Sequence, residues 1–93
     1  MNRKAKRATK SEARHLDKVA NLACCLCGIK PVELHHILEG RIPGRRSSHW
    51  TTIPLCVSCH RGPKGIHGDK AMLKIMKTTE IELLAKVLEA VYG

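Results

Sequence analysis

The fold is decided by one stretch of sequence, residues 24–67, which reads CCLCGIKPVELHHILEGRIPGRRSSHWTTIPLCVSCHRGPKGIH. It holds all five cysteines of the 93-residue chain and five of its six histidines. Thiolates and imidazoles are the protein ligands that bind zinc and similar divalent ions. This concentration therefore predicts a zinc knot that carries a histidine-rich active site.

Two CxxC pairs lie in this stretch. Cys24 and Cys27 form the first pair, Cys56 and Cys59 form the second, and residues 28–55 separate them. Two cysteines at this spacing can reach one ion, and a second such pair completes a tetrahedral site. We therefore predict a structural Zn²⁺ bound by these four cysteines, with the fifth cysteine as a small buried residue or a free thiol. Two pairs that do not share an ion are the weaker alternative.

The chain is strongly basic, with a formal net charge of +9 and an isoelectric point near 9.7. A small basic protein usually binds a polyanion, most often nucleic acid, although a basic surface can also serve solubility alone. The pattern predicts a basic disordered tail over residues 1–10 and a single domain over residues 11–93. The predicted nucleic-acid-binding residues are Arg3, Lys4, Lys6, Arg7, Arg41, Arg45 and Arg46.

Composition limits the core and the location of the protein. Trp50 and Tyr92 are the only aromatic residues besides the histidines, which excludes a large aromatic core and favours a metal staple. We assign Trp50 to the core, with DNA stacking as the weaker option, and expect His15 to be exposed. No apolar run is long enough to cross a membrane, and no signal-peptide region is present. We therefore expect a soluble, cytoplasmic monomer.

The hydrophobic pattern predicts an α+β fold with two strands between helices. Val32 to Ile37 and Trp50 to Leu55 have the alternating or β-branched residues of strands, and residues 39–48 form a loop between them. Pro54 places the end of the second strand at an edge or bend. Cys56 to His60 then begins a helical turn that the following Gly-Pro ends.

Helices are predicted on both sides of the strands. Ser11 caps a first helix that runs to about Asn21, and residues 69–77 form a short one. Thr79 opens the last helix with a capping box to Glu82. The apolar residues assigned to the core are Ala13, Leu16, Val19 and Ala20 in the first helix, Ala71, Met72, Ile75 and Met76 in the second, and Ile81, Leu84, Val87, Leu88 and Val91 in the last.

The histidines suit hydrolysis of a phosphodiester. His35 and His36 are adjacent in a predicted strand, so their side chains point to opposite faces. His60 directly follows the second cysteine pair, and His67 lies in a glycine-containing turn that permits a close backbone approach. Hydrolysis needs a base, a cation and positive groups that hold the backbone. Histidines can supply the base and the cation ligands near neutral pH, and the arginines can hold phosphates.

The order of these motifs resembles the HNH, or His-Me finger, nucleases, and most closely the phage recombination-enhancement (Ref) nucleases, which are RecA-dependent. The resemblance covers about residues 10–92 and rests on Leu34-His35-His36-Ile37, Ser48-His49-Trp50, Ile53-Pro54-Leu55-Cys56, Cys59-His60 and Gly65-Ile66-His67-Gly68. It implies a zinc-stabilised ββα-metal core with flanking N- and C-terminal helices. It further implies single-strand cleavage of DNA, targeted by a RecA filament, by a phage or prophage protein in a bacterial cytoplasm.

The resemblance assigns a role to each histidine of the central stretch. His36 matches the general base, and His35 and His60 match ligands of the catalytic metal. His67 is the third ligand candidate, although the gap after His60 is longer than in the family and contains Gly-Pro. The family's middle asparagine is missing, and His49 would orient His36 in its place. The four paired cysteines match the family's structural zinc ligands.

The implied cofactors are a structural Zn²⁺ and a catalytic divalent ion, for which Mg²⁺ is expected and Mn²⁺ or Zn²⁺ stay open. The main alternative is a catalytically inactive, zinc-stabilised DNA-binding module, and a protein-interaction adaptor is a third. The inactive module accounts for the cysteines and the charge, but it leaves the histidines unexplained.

Overall fold

The structure is a computed structural model that describes residues 7–40, 42, 44–45 and 47–93. In chain order its elements are α1 (Lys10–Ala20), β1 (Glu33–His36), β2 (Thr52–Leu55), α2 (Val57–Arg61), α3 (Ala71–Ile75) and α4 (Glu80–Tyr92). The prediction of a small α+β fold is confirmed, and each of its two strands is shorter than predicted. Among the described helices, none has the length and apolar character that a bilayer crossing requires.

The antiparallel pair of β1 and β2 lies at the centre of the fold. Glu33 is opposite Leu55, and the pairing continues to the far end of both strands. Every residue of β2 is buried, because α1 and α4 both pack against this strand. Pro54 has no N–H to donate, but its carbonyl accepts the N–H of Cys25 at 3.0 Å. The outer edge of β2 therefore bonds to the backbone of Cys25, which lies between the two cysteines of the first pair.

The N-cap of helix α1 lies two residues before the predicted cap at Ser11. Thr9 is the N-cap: its hydroxyl accepts the Glu12 N–H at 3.1 Å, and the Glu12 carboxylate accepts the Thr9 N–H at 2.8 Å. This reciprocal capping box satisfies two N–H groups at the helix start. The assignment of Ser11 as the cap is therefore wrong, because the box needs its acidic partner three residues after the cap.

The buried face of α1 also differs from the prediction. His15 is only 1% exposed, and its Nδ1 lies 2.7 Å from the Tyr92 hydroxyl of α4. Its ring packs against Trp50, with 4.8 Å between the ring centroids. Trp50, assigned to the core, is 42% exposed because it covers His15 from the solvent side. Ala13 and Ala20 face solvent instead.

The last two helices follow the predicted pattern only in part. Thr79 caps α4 as predicted, and its hydroxyl accepts the Glu82 N–H at 3.1 Å. Ile81, assigned to the core, is 44% exposed because α4 is turned so that Glu80 faces β1. In α3, Ile75 and Met76 are exposed as well, whereas Met72 packs against the core. The aliphatic core residues are Val19, Leu26, Ile37, Ile53, Leu55, Ile66, Leu83, Leu84 and Val87.

Candidate metal centres and active site

The four cysteines of the two CxxC pairs converge. Their Sγ atoms all lie within 4.8 Å of one another, and the Sγ atoms of Cys27 and Cys56 are 3.5 Å apart. Two thiolates on a tetrahedral zinc, each about 2.3 Å from the ion, lie about 3.8 Å apart. Cys24, Cys27, Cys56 and Cys59 are therefore positioned to bind a metal ion, consistent with structural zinc.

The first CxxC pair forms a tight turn around Cys24. The N–H groups of Leu26 and Cys27 lie 3.4 and 3.5 Å from its Sγ. Gly28 closes the turn with a φ of +78°, a left-handed conformation that favours glycine. Burial raises the pKa of Cys24, but the N–H donors around its sulfur, led by that of Cys56, outweigh burial and bring the pKa to about 7. The thiolate, which is the form that binds metal, is thus favoured near neutral pH.

Cys25 stays outside this set of ligands. It is half-buried and packs against the core. Burial raises its pKa to about 12, and the neighbouring Cys24 contributes to the increase. Cys25 is therefore a neutral thiol with a packing role.

Three histidines form a second cluster. One ring nitrogen from each of His35, His60 and His67 lies within 4.8 Å of the others, and His35 Nδ1 is 3.3 Å from His60 Nε2. The ring centroid of His67 lies 5.0 Å from that of His35 and 4.7 Å from that of His60. His35 is buried and His67 is exposed. This histidine cluster could hold a metal ion whose remaining positions open toward solvent.

The second cysteine pair fixes two of these histidines. His60 follows Cys59 in α2, and the His67 N–H donates to the His60 carbonyl at 3.0 Å. The Ile66 N–H likewise donates to the Cys59 carbonyl at 2.9 Å. A Cβ on Gly65 would lie only 2.7 Å from the Cys59 carbonyl oxygen, so this approach requires glycine. A metal ion bound by the second cysteine pair would therefore also restrict the positions of His60 and His67.

Two carboxylates contact the histidines on the side away from the cluster centre. Glu80 Oε2 lies 2.5 Å from His35 Nε2, and Glu33 Oε1 lies 2.7 Å from His60 Nδ1. With each of these N–H groups donated to a carboxylate, lone pairs remain on His35 Nδ1 and His60 Nε2, which face each other. Metal-binding histidines commonly have such carboxylate partners, because the carboxylate fixes the tautomer and raises the basicity of the ligand nitrogen.

Backbone hydrogen bonds fix the Glu80 carboxylate in addition to its contact with His35. The residue is 6% exposed, and its Oε1 accepts the N–H groups of Leu38 at 3.1 Å and Glu39 at 2.9 Å. Glu39 in turn accepts the N–H of Ile81 at 3.3 Å. These bonds tie the first turn of α4 to the chain that follows β1. Burial lowers the pKa of His35 despite the contact with Glu80, so the imidazole is held in the neutral form that metal binding requires.

Glu33 joins the histidine cluster to a surface arginine. Its two oxygens accept from Arg61 Nε at 3.0 Å and from Arg61 Nη2 at 2.6 Å. The hydrogen bonds from His60 and Arg61 lower the pKa of the Glu33 carboxyl. Glu33 is therefore ionised at neutral pH and remains an acceptor for His60 Nδ1.

A separate histidine pair extends from the other face of β1. His36 Nε2 lies 3.0 Å from His49 Nδ1, and both side chains are half-buried. Burial, with a smaller contribution from His49, lowers the pKa of His36. The two adjacent histidines of β1 therefore contact different partners: His35 belongs to the histidine cluster, and His36 pairs with His49.

The predicted nucleic-acid-binding residues are described only in part. Arg7 and Arg45 are exposed, which leaves both side chains accessible to a phosphate backbone. The remaining residues of this prediction lie outside the described residues: Arg3, Lys4, Lys6, Arg41 and Arg46.

Glu33 and Glu80 are site residues that the sequence patterns do not single out. For Glu33 a signal exists, because it lies two positions before His35 and therefore on the same face of the strand. For Glu80 no signal exists, because an acidic residue in the first turn of a helix is common for reasons of the helix dipole. Neither a protein-family model nor a curated protein matches this chain. A functional assignment therefore depends on the two clusters and their geometry.

Proposed function

We propose that the protein is a metal-dependent DNA endonuclease of the HNH type, which nicks one strand by hydrolysing a phosphodiester bond. The observation that carries this proposal is the approach of His35 Nδ1 to His60 Nε2 at 3.3 Å, with a carboxylate on the other nitrogen of each ring, an arrangement that directs two lone pairs at each other. Two lone pairs at this distance repel each other unless a cation or a proton lies between them. In this interpretation β1, β2 and α2 correspond to a ββα-metal core.

The histidine cluster would serve as the ligand set of the catalytic ion. A divalent cation bound there would stabilise the negative charge that develops on the phosphate and the leaving oxygen. Imidazole donors suit transition metals such as Zn²⁺, whereas Mg²⁺, the ion that the resemblance implies, prefers oxygen ligands. Glu80 and Glu33 keep the ligand nitrogens directed at the cluster centre, and the exposed side chain of His67 marks the side from which DNA would approach.

His36 is the proposed general base. If His36 Nε2 donates its proton to His49 Nδ1, 3.0 Å away, the lone pair of His36 is on Nδ1. That nitrogen can take a proton from the attacking water, and the lowered pKa of His36 keeps it unprotonated beforehand. His49 would act as a positioning residue that sets this tautomer.

Basic side chains would hold the DNA backbone. Arg7 and Arg45 are exposed and able to contact phosphates, and the basic residues predicted outside the described part of the chain would add to them. Such contacts release counterions, so the affinity should fall as salt rises. Targeting by a RecA filament, and a role in phage recombination in the bacterial cytoplasm, belong to the same proposal and are supported by the resemblance alone.

Nicking of supercoiled plasmid and of displaced-strand DNA tests the proposal. The assay uses Mg²⁺, Mn²⁺ or Zn²⁺, with and without a RecA filament, and compares His36→Ala with Lys86→Ala. Loss of a general base typically lowers the rate about 10²–10⁴-fold. Lys86 is exposed on α4, so Lys86→Ala should match the wild type and control for a nonspecific effect of substitution, and His36→Ala purified in parallel sets the background of contaminating nuclease. Equal nicking by His36→Ala would exclude His36 as the base.

Metal content separates the nuclease from the inactive module. A nuclease should bind one tightly held zinc and one exchangeable ion per chain, whereas the module should bind zinc alone. Cleavage without the filament would keep the nuclease and remove the targeting. Salt-sensitive DNA binding without cleavage under any condition would refute the nuclease in favour of the module.

A further inference from the structure

The only tryptophan and the only tyrosine of the chain are both exposed and contact the same histidine. Trp50 is 42% exposed and Tyr92 is 53% exposed. Both rings contact the buried imidazole of His15, with centroid distances of 4.8 and 5.6 Å. The proposed hydrolytic site uses neither ring. We call Trp50 and Tyr92 the aromatic pair.

His15 holds the aromatic pair in a fixed arrangement. Its side chain is 1% exposed, and its Nδ1 lies 2.7 Å from the Tyr92 hydroxyl. The ring of Tyr92 is nearly parallel to that of His15, at an angle of 11°. Aromatic rings that are already immobilised lose little conformational entropy when another ring stacks on them.

A row of positive charges on α1 leads to the aromatic pair. Lys10, Arg14 and Lys18 are all exposed, and their four-residue spacing places them along one side of the helix in steps of about 6 Å. Lys18 Nζ lies 5.0 Å from the ring centroid of Tyr92. Arg14 donates to the hydroxyl of Ser11 at 3.3 Å, which directs its guanidinium along the helix. We call these three cations the basic row.

The aromatic pair also lies next to the proposed base. Trp50 directly follows His49, and His49 Nδ1 is 3.0 Å from His36 Nε2. The basic row, the aromatic pair and the proposed base follow one another through the Lys18–Tyr92 contact, the shared contact with His15 and the His49–Trp50 peptide bond. We call this succession the path.

We propose that this path binds a single strand of nucleic acid, with phosphates along the basic row and unpaired bases stacked on Trp50 and Tyr92. Proteins that bind single strands combine these two elements, because every base has an apolar face that stacks on an aromatic ring. The bases of a duplex stack on one another and do not offer those faces. This inference rests on the proposed function and specifies its substrate as an unpaired strand.

The fluorescence of Trp50 tests the proposal directly, because no other tryptophan contributes. The zinc-loaded full chain is titrated with an oligothymidine, with an abasic strand of equal length and with a duplex. The chain carries one zinc and no further Mg²⁺, Mn²⁺ or Zn²⁺ is added, so binding is measured apart from cleavage. We expect the oligothymidine to quench the fluorescence, the duplex to leave it unchanged, and the abasic strand to bind at least about fivefold more weakly.

Variants measured by anisotropy of a labelled oligothymidine supply the second test. Trp50→Ala should weaken binding at least about fivefold, and Trp50→Phe should restore part of it. Lys18→Gln should reduce the salt dependence of binding, whereas Lys86→Gln should not. Ile29→Ala removes an apolar side chain of comparable exposure, 59%, outside the path and should leave binding unchanged. Because Trp50 also covers His15, circular dichroism checks folding, and the wild-type titration decides the question if the variant unfolds.

The outcomes for the single-strand path and for the nuclease are distinct. Equal affinity for oligothymidine and abasic strands, unchanged fluorescence at saturation, or tighter binding of duplex would each overturn the path. Base-dependent binding without cleavage under any metal condition would support the path and refute the nuclease. Cleavage together with base-independent binding would support the nuclease and refute the path.

Discussion

Substitution of Glu80 by glutamine tests the carboxylate behind His35. The amide oxygen can keep the acceptor position of Oε1 for the N–H groups of Leu38 and Glu39. The NH₂ group then faces His35 Nε2, which lies 2.5 Å from Oε2 in the native protein. Two donors cannot share this contact, so His35 must move its proton to Nδ1, the nitrogen that faces His60. The substitution therefore blocks a metal-binding nitrogen without removing a ligand.

The Glu80→Gln variant should stay folded and bind a divalent ion at the histidine cluster more weakly. Only the bond to His35 changes: a bond to a charged carboxylate, which contributes about 1.5–3 kcal/mol to the free energy of unfolding, is replaced by a weaker bond from the neutral amide, so the loss is smaller than that contribution. That is less than the roughly 5–15 kcal/mol by which domains are usually stable. Loss of a carboxylate partner typically lowers the affinity of a metal site about 10–100-fold, or about 1.4–2.8 kcal/mol of binding free energy.

Calorimetric titration with Mn²⁺ measures this loss, because Mn²⁺ competes weakly for the thiolates that hold zinc. Thermal unfolding is followed in parallel. Glu89→Gln changes an exposed glutamate of the same helix and should alter neither measurement. Glu33→Gln should cause a smaller loss, because Glu33 is only half-buried and the exchange leaves one oxygen as acceptor. Unchanged Mn²⁺ affinity in a folded Glu80→Gln variant would refute the proposed arrangement of lone pairs.

Three other substitutions address the zinc site, the histidine turn and the buried imidazole. Cys59→Ser should abolish zinc retention and unfold the chain, which circular dichroism detects, because structural zinc contributes about 10 kcal/mol or more to the free energy of folding. The control variant Cys25→Ser should stay folded and retain one zinc. Gly65→Ala would place a Cβ 2.7 Å from the Cys59 carbonyl oxygen, so Mn²⁺ affinity should fall at least about tenfold by calorimetry; an unchanged affinity would show that the turn tolerates the group. Burial lowers the pKa of His15 below 6.5. Above that pH His15 is neutral in both the folded and the unfolded chain, so the full stability is present. As pH falls toward the lowered pKa, the unfolded chain binds a proton first and the free energy of unfolding decreases. The melting temperature should therefore fall less from about pH 7 to about pH 5 in His15→Gln than in the wild type, and equal slopes would contradict this role.

Short-range patterns in the sequence predict much of the framework. Alternating and β-branched residues predict the strand pair. Two CxxC pairs predict the four-cysteine site, because the geometry of each pair depends only on residues close in sequence. The position of His60 could also be inferred, because the residue directly follows Cys59 and so has little freedom once zinc is bound.

Contacts between distant residues were not predictable in this way. His15 and Tyr92 are 77 residues apart, and nothing near His15 indicates a partner that would permit its burial. Glu80 is 45 residues from His35, and its role depends on a rotation of α4 that also exposes Ile81. An amphipathic pattern predicts which face of a helix is buried, but it does not predict the rotation of the helix about its axis to within one residue. That rotation decides whether Glu80 reaches the histidine cluster.

The distance along the chain between His35 and Glu80 has a consequence for synthesis on the ribosome. A nascent chain that has emerged only as far as α3 already holds both cysteine pairs and the whole histidine cluster. It can therefore bind zinc, but His35 Nε2 does not yet have its carboxylate acceptor. We therefore expect the cysteine site to form first and the histidine cluster last. Under the proposed function, an incompletely translated chain would thus hold the structural ion but lack a complete hydrolytic site until α4 has emerged.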